Sequence, residues 1–331
     1  MTTITCPACR ATTSASATFC PSCGALLLGL SPGTTSQPGR ATVPDLVTVP
    51  VPVDTTDDPA QGSRDHLEAS PASWVAGVCD RGMVHERNED AQALAASEQP
   101  GRFAALVVCD GVSSSPRPEL ASQTASRATL AVLSQAAGSS ATQDWASVLT
   151  AAARAGNDAI ARAVGPIQPG EHSFPSCTLV AAVVDSGRIV ATSVGDSRAY
   201  WLPDTGRAQL LTTDDSWAQD MIAAGMPREQ AEKAPRAHAI TRWLGPDAPP
   251  VRPTSTVVEP EGPGWLCVCS DGLWNYCSQA DDLSRLVSSM ARAAGGDPLV
   301  TAQALVSWVN AKGGRDNVTV TLARLGSARQ A

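Results

Sequence analysis

Cys267–Val–Cys–Ser–Asp–Gly–Leu–Trp–Asn275 is the stretch on which the reading of this chain turns. The apolar run Trp265–Cys269 has the length and the bounding turns of a buried strand. It ends on Ser270–Asp271–Gly272. A carboxylate at the end of a buried strand is held rigidly, and a glycine after it lets backbone approach a ligand closely. One Asp-Gly pair is most often a turn, but here the arrangement recurs. Ala105–Cys109 ends in Asp110–Gly111, Val190–Val194 runs through Gly195 into Asp196, and Arg315–Asp316–Asn317 precedes Val318–Leu322. Strand-end aspartates in this number predict a carboxylate cluster, and unpaired clustered carboxylates call for a hard cation.

The 331 residues are enough for two domains and carry a net charge of −8. An acidic surface disfavours general nucleic-acid binding. No apolar run approaches bilayer length, and no signal-peptide pattern opens the chain, so a soluble, cytoplasmic protein is expected. Of the ten cysteines, Cys6, Cys9, Cys20 and Cys23 form two Cys-Pro-x-Cys knuckles, a spacing that suits the tetrahedral thiolate cage of one structural Zn²⁺. Residues 1–29 are therefore expected to be a small four-cysteine zinc ribbon, folded by its metal and available to dock an unknown protein partner. Arg10 is its only basic residue, which again disfavours nucleic acid. The other six cysteines mostly sit in apolar runs, where free cysteine behaves as a small hydrophobe.

Residues 30–70 are rich in Pro, Thr, Ser and Asp, lack both apolar periods, and are expected to be a disordered linker. From residue 71 to 326 the pattern is that of one large domain, with a short tail at 327–331. Strands are expected over Trp74–Cys79, Phe103–Cys109, Thr178–Val184, Arg188–Val194, Ala199–Leu202, Gln209–Thr212 and Trp265–Cys269, with a closing strand Asn317–Leu322. Helices are expected over Glu119–Ala137, Trp145–Val164, Ala280–Ala294 and Pro298–Ala311, with Asp144 as an N-cap. The strands between Thr178 and Thr212 read as consecutive antiparallel neighbours. Strands in runs with helices paired between them predict an α+β fold of layered antiparallel sheets covered by helices.

Taken in order, the motifs resemble the type 2C family of metal-dependent protein serine/threonine phosphatases. They are Asp80–x–Gly82, Asn88–Glu–Asp–Ala91, Val108–Cys–Asp–Gly111, Ser176–Cys–Thr–Leu179, Gly195–Asp–Ser–Arg198, Ile240–Thr–Arg–Trp–Leu–Gly245, Ser270–Asp–Gly–Leu273 and Asp316–Asn–Val–Thr319. Singly each is weak; their order and spacing are specific. The resemblance implies a sandwich of two central antiparallel sheets flanked by helices, with two Mn²⁺ or Mg²⁺ ions at one end and a possible third. It implies that Asp110 bridges two ions, that the Gly111 carbonyl binds one, and that Asp271 and Asp316 complete the first. Glu89 and Asp90 would act on the second and on bound water, and Asp196 would hold the third. A metal-bridging hydroxide would then attack phosphorus in line. The implied substrates are phosphorylated Ser/Thr proteins, products of a cognate bacterial kinase.

Three departures bear on this. His85 stands where the family usually has a phosphate-gripping arginine, leaving either Arg87 or His85 for that task. Val112–Ser–Ser–Ser115, with Pro116 and Pro118, replaces a glycine-rich loop, and Thr213–Asp–Asp–Ser216 replaces an Asp-His-Ser stretch. None removes an implied metal ligand. The alternative function is a phosphoprotein-binding or scaffold module that keeps the metal site with weakened catalysis. A cysteine-nucleophile phosphatase is excluded, since no cysteine is followed six residues on by arginine.

Overall fold

The computed structural model describes residues 3–5, 12–14, 46–49, 65–138, 143–166 and 172–326. Cys6, Cys9, Cys20 and Cys23, most of the expected linker and the tail at 327–331 lie outside the described residues. Near the N-terminus β1 (Thr3–Thr5) pairs antiparallel with β2 (Thr12–Ser14). Then come β3 (Leu46–Val49), β4 (His66–Ala72), β5 (Val75–Asp80), β6 (Ala91–Ser97) and β7 (Phe103–Cys109). Helices α1 (Pro118–Ala137) and α2 (Trp145–Val164) lead to β8 (Leu179–Asp185), β9 (Arg188–Val194), β10 (Arg198–Pro203) and β11 (Gln209–Leu210). Short helices α3 (Trp217–Ala223) and α4 (Arg228–Glu232) precede β12 (Ser255–Val258) and β13 (Gly264–Cys269). The chain continues through α5 (Asp271–Trp274), α6 (Ala280–Ala293), α7 (Pro298–Ala311) and β14 (Val318–Leu325).

Two six-stranded antiparallel sheets face each other, in the orders β11-β10-β13-β14-β5-β4 and β12-β9-β8-β7-β6-β3. Strand β7 shows why its sequence is apolar without alternation. Ala104, Leu106 and Val108 enter the core between the sheets, while Ala105, Val107 and Cys109 face α1 and α2. Successive residues point to opposite faces, and here both faces are covered. The first sheet is covered likewise: Cys267, Val320 and Leu322 meet Leu283, Val287, Leu305 and Val309 of α6 and α7. Asp297 accepts a bond from Val300 N at 3.0 Å and Pro298 takes the first turn of α7, both standard helix-start chemistry. The result is four layers, helices–sheet–sheet–helices, as the α+β reading expects.

The structure corrects the expected linker over 30–70 at two places, since one strand lies inside it and another overlaps its end. Leu46–Val49 is the edge strand β3, and His66–Ala72 is the edge strand β4, where Leu67 O accepts a bond from Gln92 Nε2 at 3.1 Å. Edge strands are covered on one side only, so β4 has the sparse apolar content of Leu67 and Ala69 and shows little periodic signal. The same reason accounts for β12, which the sequence reading does not predict either. The run from Thr178 to Thr212 is also not one meander. Strands β8 and β9 pair, but β10 belongs to the other sheet, and the chain crosses between them at Gly195–Asp196–Ser197.

Candidate active site

The strand registers carry the acidic residues to one end of the sandwich. Ala91 pairs with Cys109, so Asp90 and Asp110 stand beside each other at the end of the second sheet. In the first sheet Cys269 pairs with Arg198 and Val320, and Val318 with Asp80, which puts Asp271 and Asp316 at the same end. Asp196 arrives on the crossing between sheets. Two glycines make the approach possible. A Cβ on Gly272 would lie 2.0 Å from Asn317 O, and one on Gly82, whose φ is +74°, 2.1 Å from Asp316 O.

Asp90 is buried. Its Oδ2 accepts from Ser270 Oγ at 2.8 Å and from Thr319 Oγ1 at 2.7 Å, while its Oδ1 has no partner. Asp271 Oδ2 accepts from Asn275 Nδ2 at 2.9 Å, and its Oδ1 is likewise buried and unpartnered. Glu89 Oε2 accepts from Ser113 Oγ at 2.6 Å. Asn317 ties the loops together: its Oδ1 accepts from Glu89 N at 2.8 Å, and its Nδ2 donates to Arg81 O at 2.8 Å and Arg87 O at 3.1 Å. Burial, with the Asp316 and Asp271 charges behind it, pushes Asp90 up to about 7 despite its two hydroxyl donors. Burial, then Asp316, pushes Asp271 up to about 6. Asp110 and Asp196 are raised too, first by burial and then by neighbouring aspartates. The fold thus holds these acids against both desolvation and mutual repulsion.

Two residues left open by the sequence part ways. His85 Nε2 lies 3.2 Å from Asp316 Oδ1, so the imidazole is engaged with the acid cluster. Arg87 reaches into solvent, 64% exposed, with only Glu119 nearby at 3.8 Å. Asp214, next to the Asp215 that stands in place of the histidine, has a role the sequence did not suggest. It takes a forked pair of bonds from Arg198, at 2.9 Å from Nε and 2.6 Å from the terminal nitrogen, and Arg198 stacks 3.7 Å from the centre of the Trp274 ring. Trp274 in turn donates to Asp196 O at 2.9 Å. Above them α3 and α4 close a cavity of about 240 Å³ lined by Asp196, Arg198, Asp214, His238 and Trp274. Ser270 and Thr319 were visible only as motif members; their signal is a hydroxyl in a fully buried strand-end position, which requires a partner.

Among the described residues, no three or more His, Cys, Asp or Glu side chains are closed into a cage for one ion. Mg²⁺-type ions keep several waters and take one or two carboxylates each, so such a cage is not required. The buried unpartnered oxygens of Asp90 and Asp271 and the mutually raised acids fit hard divalent cations with oxygen ligands.

This fold, with carboxylates gathered at one end of a double sheet, defines a class. Residues 83–310 match protein phosphatase 2C, and the chain belongs to that family. It is 31% identical over 250 residues to the serine/threonine protein phosphatase PstP of Mycobacterium tuberculosis, covering 75% of this chain and 44% of that protein. The chain therefore spans less than half the length of that relative. The crystal structure of the M. tuberculosis PstP/Ppp phosphatase superposes with a TM-score of 0.61 at 30% identity, over 76% of this chain and 98% of that one. The PstP catalytic domain in complex with two manganese ions matches with a TM-score of 0.55 at 29% identity, over 76% and 97%. No helix among the described residues is long and apolar enough to cross a membrane.

Proposed function

We propose that this chain is a Mn²⁺- or Mg²⁺-dependent phosphatase that hydrolyses phosphoserine and phosphothreonine in proteins, the products of a cognate bacterial kinase. The observation that carries the proposal is the gathering of aspartates at one end of the sandwich, in which Asp90 and Asp271 each keep a buried oxygen without a partner. Asp110, Asp271 and Asp316 would hold one ion, Asp110, the Gly111 carbonyl, Glu89 and Asp90 the second, and Asp196 a third. When bound, such ions lower the pKa of water and neutralise charge building on the phosphoryl oxygens. Ser270 and Thr319 hold Asp90 in one orientation, and Asn317 fixes the loop that carries Glu89. Arg87, 64% exposed and only loosely paired with Glu119 at 3.8 Å, is the better placed of the two candidates to meet the substrate phosphate; His85 orients Asp316.

The pairing of β1 with β2, which flank Cys6 and Cys9 in the sequence, supports keeping residues 1–29 as a Zn²⁺-bound docking module. Such a module would raise the local concentration of its target. Hydrolysis of a small aryl phosphate and a phosphothreonine peptide, with Mn²⁺, Mg²⁺ or chelator, tests the activity, with Asp110→Asn as the matched control. Metal-dependent turnover lost in that variant is expected. No turnover by a folded, metal-binding protein would instead favour a phosphoprotein-binding module, a reading to which the engagement of His85 with Asp316 lends some weight.

A further inference from the structure

Met83 and Val84, 64% and 65% exposed, are the most exposed large apolar side chains among the described residues. The others, Val47, Leu210, Val257 and Val300, occur singly on edge strands or on α7. Isolated apolar residues at a surface are ordinary, but an adjacent pair held fast is not. This pair is pinned on both sides. Asp80 Oδ1 accepts from Gly82 N at 2.8 Å, Met83 N donates to Gly314 O at 2.8 Å, and the Arg81 guanidinium donates to His85 O. Asn317 Nδ2 holds Arg81 O as well. The segment is also continuous with the acid cluster, because His85 reaches Asp316 and Arg87 stands exposed just beyond.

We propose that Met83 and Val84 form an apolar lip that receives an apolar side chain next to the phosphoresidue of the substrate protein. The proposal rests on the phosphatase reading above and adds a sequence preference to it. A phosphoresidue centred on the acid cluster places its chain neighbours within a few ångströms along an extended peptide, over the rim where the lip stands. An apolar neighbour buries its surface there and releases water. A polar or acidic one gains nothing from the lip and meets the charge of the cluster.

The test compares two phosphothreonine peptides, flanked by leucines or by serines, with wild type and the double variant Met83→Ser, Val84→Ser. Both residues are exposed, and a thermal melt checks that the variant folds. With Mn²⁺, wild type should favour the leucine peptide by about tenfold in kcat/KM, the scale of burying one such side chain. The ratio should collapse towards unity in the double variant. Equal rates in wild type, or a preference that survives the substitutions, overturns the lip. If neither peptide nor an aryl phosphate is turned over, the phosphatase reading fails, and the lip is judged on binding of the same labelled peptides by fluorescence anisotropy. A leucine preference lost in the double variant supports it there; no preference overturns it.

Discussion

Asp90 has two hydroxyl donors on one oxygen and none on the other, and that asymmetry fixes where its free oxygen points. Thr319→Val or Ser270→Ala should weaken Mn²⁺ binding about tenfold by calorimetry, the usual effect of losing a residue that orients a ligand. Thr319→Ser should restore most of it, which a merely steric role would not predict. Asp271→Asn should lower turnover by orders of magnitude while raising the melting temperature of the metal-free protein, since it removes one charge from a repelling set. Unchanged rates at saturating Mn²⁺ would sink the assignment of Asp271. The sign of the pH effect follows from Asp90, whose ordinary value of 3.8 is raised to about 7 on folding. Below 3.8 both states carry the proton. Between 3.8 and about 7 the folded state holds a proton that the unfolded state has released, so metal-free stability falls across that window and levels off above it. Denaturant melts at several pH values in chelator should show this slope, and Mn²⁺ should flatten it. The strand-end aspartates were legible because each borders an apolar run, Asp316 just before its strand and the others just after theirs. Their supports, Ser270, Thr319 and Asp214, were not, because a hydroxyl or carboxylate announces its partner only once the fold brings the partner near.

Legibility among the elements follows burial. Strand β7, strand β9, α2 and α7 are read at their observed bounds because both faces of the strands, or a full stripe of the helices, are covered. The edge strands β3, β4 and β12 escape because half their residues meet water. For β3 and β4 the consequence is that the two-sheet sandwich takes in strands that lie before residue 71. A chain starting at Asp45 keeps both strands and should melt like the full protein, whereas one starting at Pro71 loses them and the Gln92–Leu67 bond. The expected drop is roughly 5–10 °C, from two to three kcal/mol at about 2–4 °C each. Asp214→Ala tests the buried ion pair beneath the cavity, because it leaves the Arg198 charge unpaired at a cost of about 3–5 kcal/mol. Asp214→Asn, which keeps an acceptor, should lose less in the same denaturant melts.

At the scale of the molecule, the pairing of sheets was not readable from one sequence, since a strand's period reveals its faces and not its neighbour. The plainest case is β14, the last strand described, which inserts between β13 and β5 in the middle of its sheet. Asp316 and Asn317 come with it, and Asn317 fixes the loop that carries Glu89. During synthesis this strand is the last of them to leave the ribosome. Until then the first sheet is split between β13 and β5, and the acids of the two sheets have no common frame. On the proposed phosphatase reading, a chain cut before Val318 therefore lacks the strand that joins the two halves of the first sheet, and it is expected to show no metal-dependent turnover.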